Sequence, residues 1–174
     1  PDGMVKDGDL AVFMDKNGNF TQQVIDTAAF LVAKGKFSHD SIIDKVDFGG
    51  KVYITTGFVH ILRPNCDLYT KSLNTRTQIL YTPDIAMVIS RLSLRPNQRV
   101  VESGTGSGSL SVSMARTLLP NGHLFTYEFN ELRAKKGQED FVKLGMADNI
   151  TQTHRDVLTN GFLLDDKVTP ESID

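Results

Sequence analysis

The stretch that most constrains the fold runs from Arg99 to Ser109, R-V-V-E-S-G-T-G-S-G-S, a short apolar run ending in an acid and three glycines on alternate positions. Val100 and Val101 suit a strand buried on both faces. Gly104, Gly106 and Gly108 let the backbone turn tightly and approach a ligand with no Cβ in the way. Leu110 to Leu119 follows, with Leu110, Met114, Ala115 and Leu118 on one helical face. Strand, glycine turn and helix in that order form the first crossover of a nucleotide-binding parallel sheet. The glycines alone leave open a second reading, a tight turn with no ligand.

The side chains around the turn narrow the ligand. A dinucleotide fingerprint, G-x-G-x-x-G, seats pyrophosphate on the helix N-terminus, but Ser109 stands where the third glycine would fall. Glu102 at the strand end would repel a pyrophosphate and suits a cationic ligand or an amine; S-adenosylmethionine carries a sulfonium, an ammonium and no phosphate. Glu128 lies 20 residues beyond Gly108 and closes the alternating run Leu124-Phe125-Thr126-Tyr127, the next strand. An acid at that spacing is the expected partner of ribose hydroxyls, because one carboxylate accepts from both. Asp156 follows Ile150 to His154, a third strand. Acids at 102, 128 and 156 thus line the carboxyl ends of three strands along one crevice, where open α/β sheets bind ligands. The competing reading is that each caps a helix N-terminus.

Lys+Arg number 19 and Asp+Glu 21, a net charge of −2, so the summed field does not point to nucleic acid, and any RNA contact must come from a local patch or another subunit. Cys66 is the lone cysteine, which excludes an internal disulfide and fits a reducing compartment. No apolar run approaches the roughly 20 residues of a membrane span, and the expectation is a soluble, intracellular protein. The start at Pro1 and the stop at Glu171-Ser172-Ile173-Asp174 read as cuts in a longer chain, because a doubly wound sheet needs a fourth strand beyond the first. The outer side of the Val100 strand is then expected to be an unpaired apolar edge.

Ahead of the glycine strand, many short apolar runs broken by turns predict a small all-β domain over residues 1–72. These are Leu10 to Met14, Phe20 to Ile25, Thr27 to Ala33 with a Lys34-Gly35-Lys36 turn, Val52 to Thr55 and Val59 to Leu62. Such domains serve as binding modules or oligomerisation surfaces. Thr82-Pro83-Asp84 predicts a helix start with Thr82 as N-cap, and Ile85, Val88, Ile89 and Leu92 place one face on the sheet. Gln78 and Tyr81 arrive near the glycine strand, as cofactor or target-base contacts or as plain linker. Asn130 to Leu144 predicts a helix with Leu132, Phe141 and Leu144 inward, and Arg133 stands one turn from Glu128, within reach of the crevice rim. His39, His60, His123 and His154 show no metal-ligand spacing with one another or with Cys66, and no metal site is expected.

Thr75-Arg76-Thr77-Gln78-Ile79-Leu80-Tyr81, followed by Glu102-Ser103-Gly104-Thr105-Gly106-Ser107-Gly108-Ser109, resembles the catalytic subunit of the eukaryotic tRNA (adenine-N1)-methyltransferases. The similarity runs from Val5-Lys6-Asp7-Gly8-Asp9 through Gly122-His123-Leu124 to Arg155-Asp156-Val157. The glycine motif by itself indicates only a class I methyltransferase. The resemblance implies a Rossmann-like α/β methyltransferase domain, its first half at residues 73–174, behind an N-terminal β-barrel-like domain. It implies methyl transfer from S-adenosylmethionine to N1 of a T-loop adenosine of tRNA, the position 58 type, by a complex with a related non-catalytic subunit, generally a heterotetramer in the nucleus. Cofactor contacts are implied at Leu80, Ser107, Gly108, Ser109, Glu128, Arg133, Asp156 and Val157. In the family a catalytic Asp closes the fourth strand, and it would fall beyond Asp174. No residue present takes its role, so the 174 residues alone are expected to bind cofactor weakly or not at all and not to turn over. The non-catalytic partner subunit, which shares the fold, is the alternative reading, and the intact acids at 128 and 156 argue against it. A nicotinamide oxidoreductase is a third, disfavoured by Ser109 and Glu102.

Overall fold

The computed structural model describes residues 3–27, 30–32, 36–73 and 78–174. The chain divides into two compact units, Pro1–Asn74 and Thr75–Asp174.

In the first unit, β1 (Leu10–Asp15) and β2 (Phe20–Val24) form a hairpin, β3 (Phe30–Val32) and β4 (Lys36–Ser38) a second, and β5 (Lys51–Ile54) and β6 (Gly57–Leu62) a third. β1 also pairs with β6, giving an antiparallel sheet in the order β2-β1-β6-β5. The first turn closes because Asp15 accepts from the N–H groups of Asn17 and Asn19 at 2.8 and 2.9 Å, an Asx turn in which Gly18 takes positive φ. One sheet face is apolar: Ala11, Phe13, Val59 and Ile61 are buried with Val5, Ile25 and Ile42. On the other face Val12 and Gln22 stand opposite each other, and helix α1 (Cys66–Ser72) packs there, Ser72 Oγ lying 3.2 Å from Gln22. The sequence reading gave residues 63–72 no element; Asn65 caps α1, accepting from Leu68 N–H at 2.8 Å. Of the run Thr27 to Ala33, residues 30–32 are a strand, while 28, 29 and 33–35 lie outside the described residues.

The second unit contains α2 (Thr82–Arg91), β7 (Arg99–Ser103), α3 (Ser109–Leu118), β8 (His123–Glu128), α4 (Glu131–Lys143), β9 (Ile150–His154) and the single turn α5 (Val157–Asn160). β7, β8 and β9 are parallel neighbours in that order, the middle strand buried on both faces. The register sets Glu102 beside Thr126, and α3 covers that face with Met114, Ala115 and Leu118 buried. Opposite it, Phe125 and Tyr127 pack against Val168, with Leu164 and Ile173 alongside. Burial of such side chains stabilises by about 1.5–3 kcal/mol each. The segment after α5 therefore folds back under the sheet, and Asp174 N–H donates to the Arg99 carbonyl at 3.0 Å on the outer side of β7.

Three expectations change. Thr82 is the first helical residue rather than the cap; Tyr81 is the N-cap and makes no side-chain capping bond. α2 packs on α3, with Ile85 buried and Leu92 exposed, so its apolar face is narrower than the spacing predicted. In α4 the inward stripe is Ala134, Gly137 and Phe141, and Leu132 points outward, 79% exposed. Small residues there let the helix close on β9, where the Gln152 amide lies against Gly137. No helix among the described residues is long and apolar enough to cross a membrane.

Candidate functional site

The carboxyl ends of β7, β8 and β9 open onto a cavity of about 600 Å³. Gly104 and Gly106 floor it, Glu128 and Arg133 form one wall, Asp156 and Val157 another, and Gln78 reaches it from the chain ahead of α2. Gly104 has φ near +94° and nothing within 4 Å of where a Cβ would stand, so the backbone faces open space. Gly108, at φ near +81°, caps α3 in the left-handed conformation that starts the helix directly off the turn.

Glu128 is 3% exposed and held by four N–H donors. Its Oε1 accepts from Asn130 N–H at 3.0 Å and from Arg133 Nε and Nη2 at 3.0 and 2.8 Å; its Oε2 accepts from Gly106 N–H at 2.9 Å. Burial opposes its ionisation, yet the two backbone donors and the guanidinium outweigh burial and hold the carboxyl below its usual range. The anion is thus fixed in place, and Oε2, with one donor, can accept another. Arg133, placed by the resemblance on the cofactor, here braces the acid.

Glu102 behaves differently. Its Oε2 accepts from Ser111 Oγ at 2.5 Å and Thr126 Oγ1 at 2.6 Å, and Thr126 lies 2.7 Å from Thr105 Oγ1. Burial is the dominant influence and pushes this carboxyl up to about 7 against the two hydroxyls. It ties β7, β8, α3 and the glycine turn together and does not line the cavity. Asp156 lines the cavity while capping α5: its Oδ1 accepts from Leu158 N–H at 3.0 Å and its Oδ2 from Thr159 Oγ1 at 2.7 Å, bonds that lower its pKa. The capping reading therefore holds for this acid.

The structure brings together Gln78, Gly104, Gly106, Glu128, Arg133, Asp156 and Val157. Leu80, Tyr81, Ser107, Gly108 and Ser109 do not line the cavity; Ser109 Oγ donates to the Leu80 carbonyl at 2.8 Å, joining the Gln78 stretch to the start of α3. Residues 75–77 of the motif lie outside the described residues. Sequence reading missed Phe129, 69% exposed, and Leu158, 97% exposed, which line the cavity with Arg155. Each directly follows or nearly follows a strand-end acid, and that adjacency was the available signal. Among the described residues no group of three or more His, Cys, Asp or Glu could hold a metal ion.

A phosphate ligand fits this turn poorly. The Gly106 N–H that would face a phosphate is spent on Glu128, and an ionised carboxylate stands at the turn. Open space over Gly104 and a carboxylate with accepting capacity fit an adenosyl ligand without phosphate, S-adenosylmethionine among them.

The parallel sheet and its helices have the fold of Rossmann-like methyltransferases. The chain superposes on an S-adenosylmethionine-dependent O-methyltransferase of Thermotoga maritima with TM-score 0.77 and 24% identity, over 89% of this chain and 58% of that one. It superposes on the tRNA (m1A58) methyltransferase TrmI of Aquifex aeolicus with TM-score 0.69 and 24% identity, over 98% and 63%. Residues 57–174 match the family described as the tRNA methyltransferase complex GCD14 subunit, and the chain belongs to that family. It is 41% identical over 170 residues to the tRNA (adenine(58)-N(1))-methyltransferase catalytic subunit of Eremothecium gossypii, covering 92% of this chain and 41% of that protein. The Dictyostelium discoideum subunit is 41% identical over 170 residues, covering 95% and 54%. The chain spans about half the length of the curated relatives it matches.

Proposed function

We propose that this chain is part of the catalytic subunit of a tRNA (adenine-N1)-methyltransferase, which transfers a methyl group from S-adenosylmethionine to N1 of adenosine 58 in the T-loop. The observation that carries the reading is the buried, ionised Glu128 held against the glycine turn at the end of the second strand. Relatives bearing that activity in their names support the choice of substrate.

In this reading residues 73–174 are the first half of the methyltransferase domain and residues 1–72 a separate β module. The protein works with a related non-catalytic subunit, as a heterotetramer in the nucleus. S-adenosylmethionine supplies an electrophilic methyl group on its sulfonium. Glu128 accepts from the ribose hydroxyls, and Arg133 keeps that carboxylate ionised and aimed. Phe129 and Leu158 offer apolar surface to the adenine ring, and Gly104 lets the ligand approach the backbone. Holding both reactants aligned supplies most of the rate in such a transfer.

The test is to incubate the full protein and its partner subunit with unmodified tRNA transcript and labelled S-adenosylmethionine, then analyse the nucleosides. The expected product is 1-methyladenosine at position 58. Label on another base, or no label with cofactor bound, overturns the reading.

A further inference from the structure

The first unit carries a surface that the crevice does not explain. Val52, Ile54, Val59 and Ile61 of β5 and β6 pack into the apolar core, so strand alternation turns Lys51, Tyr53, Phe58 and His60 to the opposite face. The register sets Lys51 beside His60 and Tyr53 beside Phe58, giving a square of two rings and two nitrogen donors. α1 packs on β2 and β1, the other half of the same sheet. Tyr53 is 77% exposed there. The Lys51 ammonium sits 3.8 Å from the centre of the Phe58 ring and 5.2 Å from that of Tyr53, and Phe58 meets His60 edge-on at 5.5 Å.

Charge selects the occupant. Between Asp47 and Asp67 the sequence has no acid, while it has Lys51 and His60 on this face, in a chain whose net charge is −2. The Lys16 stem lies over Gly57 at the β5–β6 turn, adding a second ammonium to the same end. Protein interfaces share the aromatic rings but are depleted in lysine at their centres, and a lysine beside exposed rings on a sheet is a means by which proteins hold unpaired bases.

We propose that the outward face of β5 and β6 is an RNA-contact surface, with Tyr53 stacking on an unpaired base, Phe58 supporting Lys51 beside it, and Lys51 and Lys16 meeting phosphate. This rests on the reading that the substrate is an RNA, and it supplies the local basic patch that an acidic chain needs.

The test uses the full protein with its partner subunit and unmodified tRNA transcript, with affinity measured across a salt series. Tyr53→Ala weakens binding at least fivefold and Tyr53→Phe leaves it near wild type, because stacking needs the ring and not the hydroxyl. Lys51→Gln lowers the slope of log affinity against log salt by about 0.7–0.9, the share of one phosphate contact. A short single-stranded oligoribonucleotide competes better than a paired duplex of equal length. S-adenosylhomocysteine binding is unchanged in every variant, so failure of the crevice reading shows separately, as absent cofactor binding by the wild type. The proposal is overturned if Tyr53→Ala and Lys51→Gln bind tRNA as the wild type does, or if the duplex competes equally. It is also overturned if Tyr53→Ala dissociates the assembly in light scattering, which would make this face a subunit interface.

Discussion

Replacing Glu102 by Gln isolates the one carboxyl that the fold pushes up to about 7. Gln keeps an oxygen to accept from Ser111 and Thr126, at nearly the same volume, and removes the proton equilibrium. In the wild type the folded state holds the carboxyl proton more tightly than the unfolded chain, whose glutamate titrates near 4.5. Stability from this group is therefore fully present below about pH 4.5 and is lost as pH rises through 7. The separation of the two values corresponds to about 3 kcal/mol. Relative to the wild type, Glu102→Gln should thus gain about 3 kcal/mol between pH 4.5 and 8, or roughly 10 °C in melting temperature for a chain of this size. Thermal melts of both proteins across that range are the assay. Ser111→Ala, which removes one hydroxyl that favours the anion, should move the wild-type transition to still higher pH. Wild-type and Glu102→Gln melting temperatures that run parallel from pH 4.5 to 8 would refute the reasoning, since they would mean that the carboxyl ionises in the folded protein as it does in the unfolded one.

Other substitutions separate packing from binding. Gly122→Ala would set a Cβ 2.6 Å from the Gln98 carbonyl and 2.7 Å from Leu118 Cβ, and should destabilise by about 1–3 kcal/mol in urea denaturation. Gly104→Ala places a methyl group in the cavity on a backbone at φ near +94°; it should lower the melting temperature slightly and cofactor affinity strongly, by calorimetry. Both amide atoms of Gln152 are buried with no hydrogen-bond partner among the described residues, so Gln152→Met should raise stability by about 1 kcal/mol, read from the urea midpoint.

The parallel strands were legible because each is a short run of strand-favouring residues followed by an acid: Val100-Val101, Leu124 to Tyr127 and the mostly β-branched Ile150 to His154 all lie within the observed β7, β8 and β9. Glu128 and Asp156 were found at the cavity by the same pattern. Glu102 was misplaced because its hydroxyl partners are 9 and 24 residues away, on α3 and β8, and only the folded sheet brings them together. The α4 face was misread because its contact with β9 depends on Gly137, whose lack of a side chain leaves no mark in an apolar period. Leu164, Val168 and Ile173 cover Phe125 and Tyr127 from an irregular segment with neither helical nor strand spacing, so no pattern announced them. Asp156 showed that a strand-end acid can cap a helix and line a cavity at once, two roles that sequence reading had set against each other.

The central claim is that the glycine crevice takes an adenosyl ligand without phosphate and that Glu128 holds its ribose. Calorimetric titration with S-adenosylhomocysteine, with NAD as comparison, tests it on the wild type and on Glu128→Gln, both shown to be folded at the working temperature. The account predicts binding of the homocysteine compound alone, weakened at least tenfold by Glu128→Gln, the share of a hydrogen bond to a charged group. Binding of NAD, or an unchanged affinity in the folded variant, would contradict it.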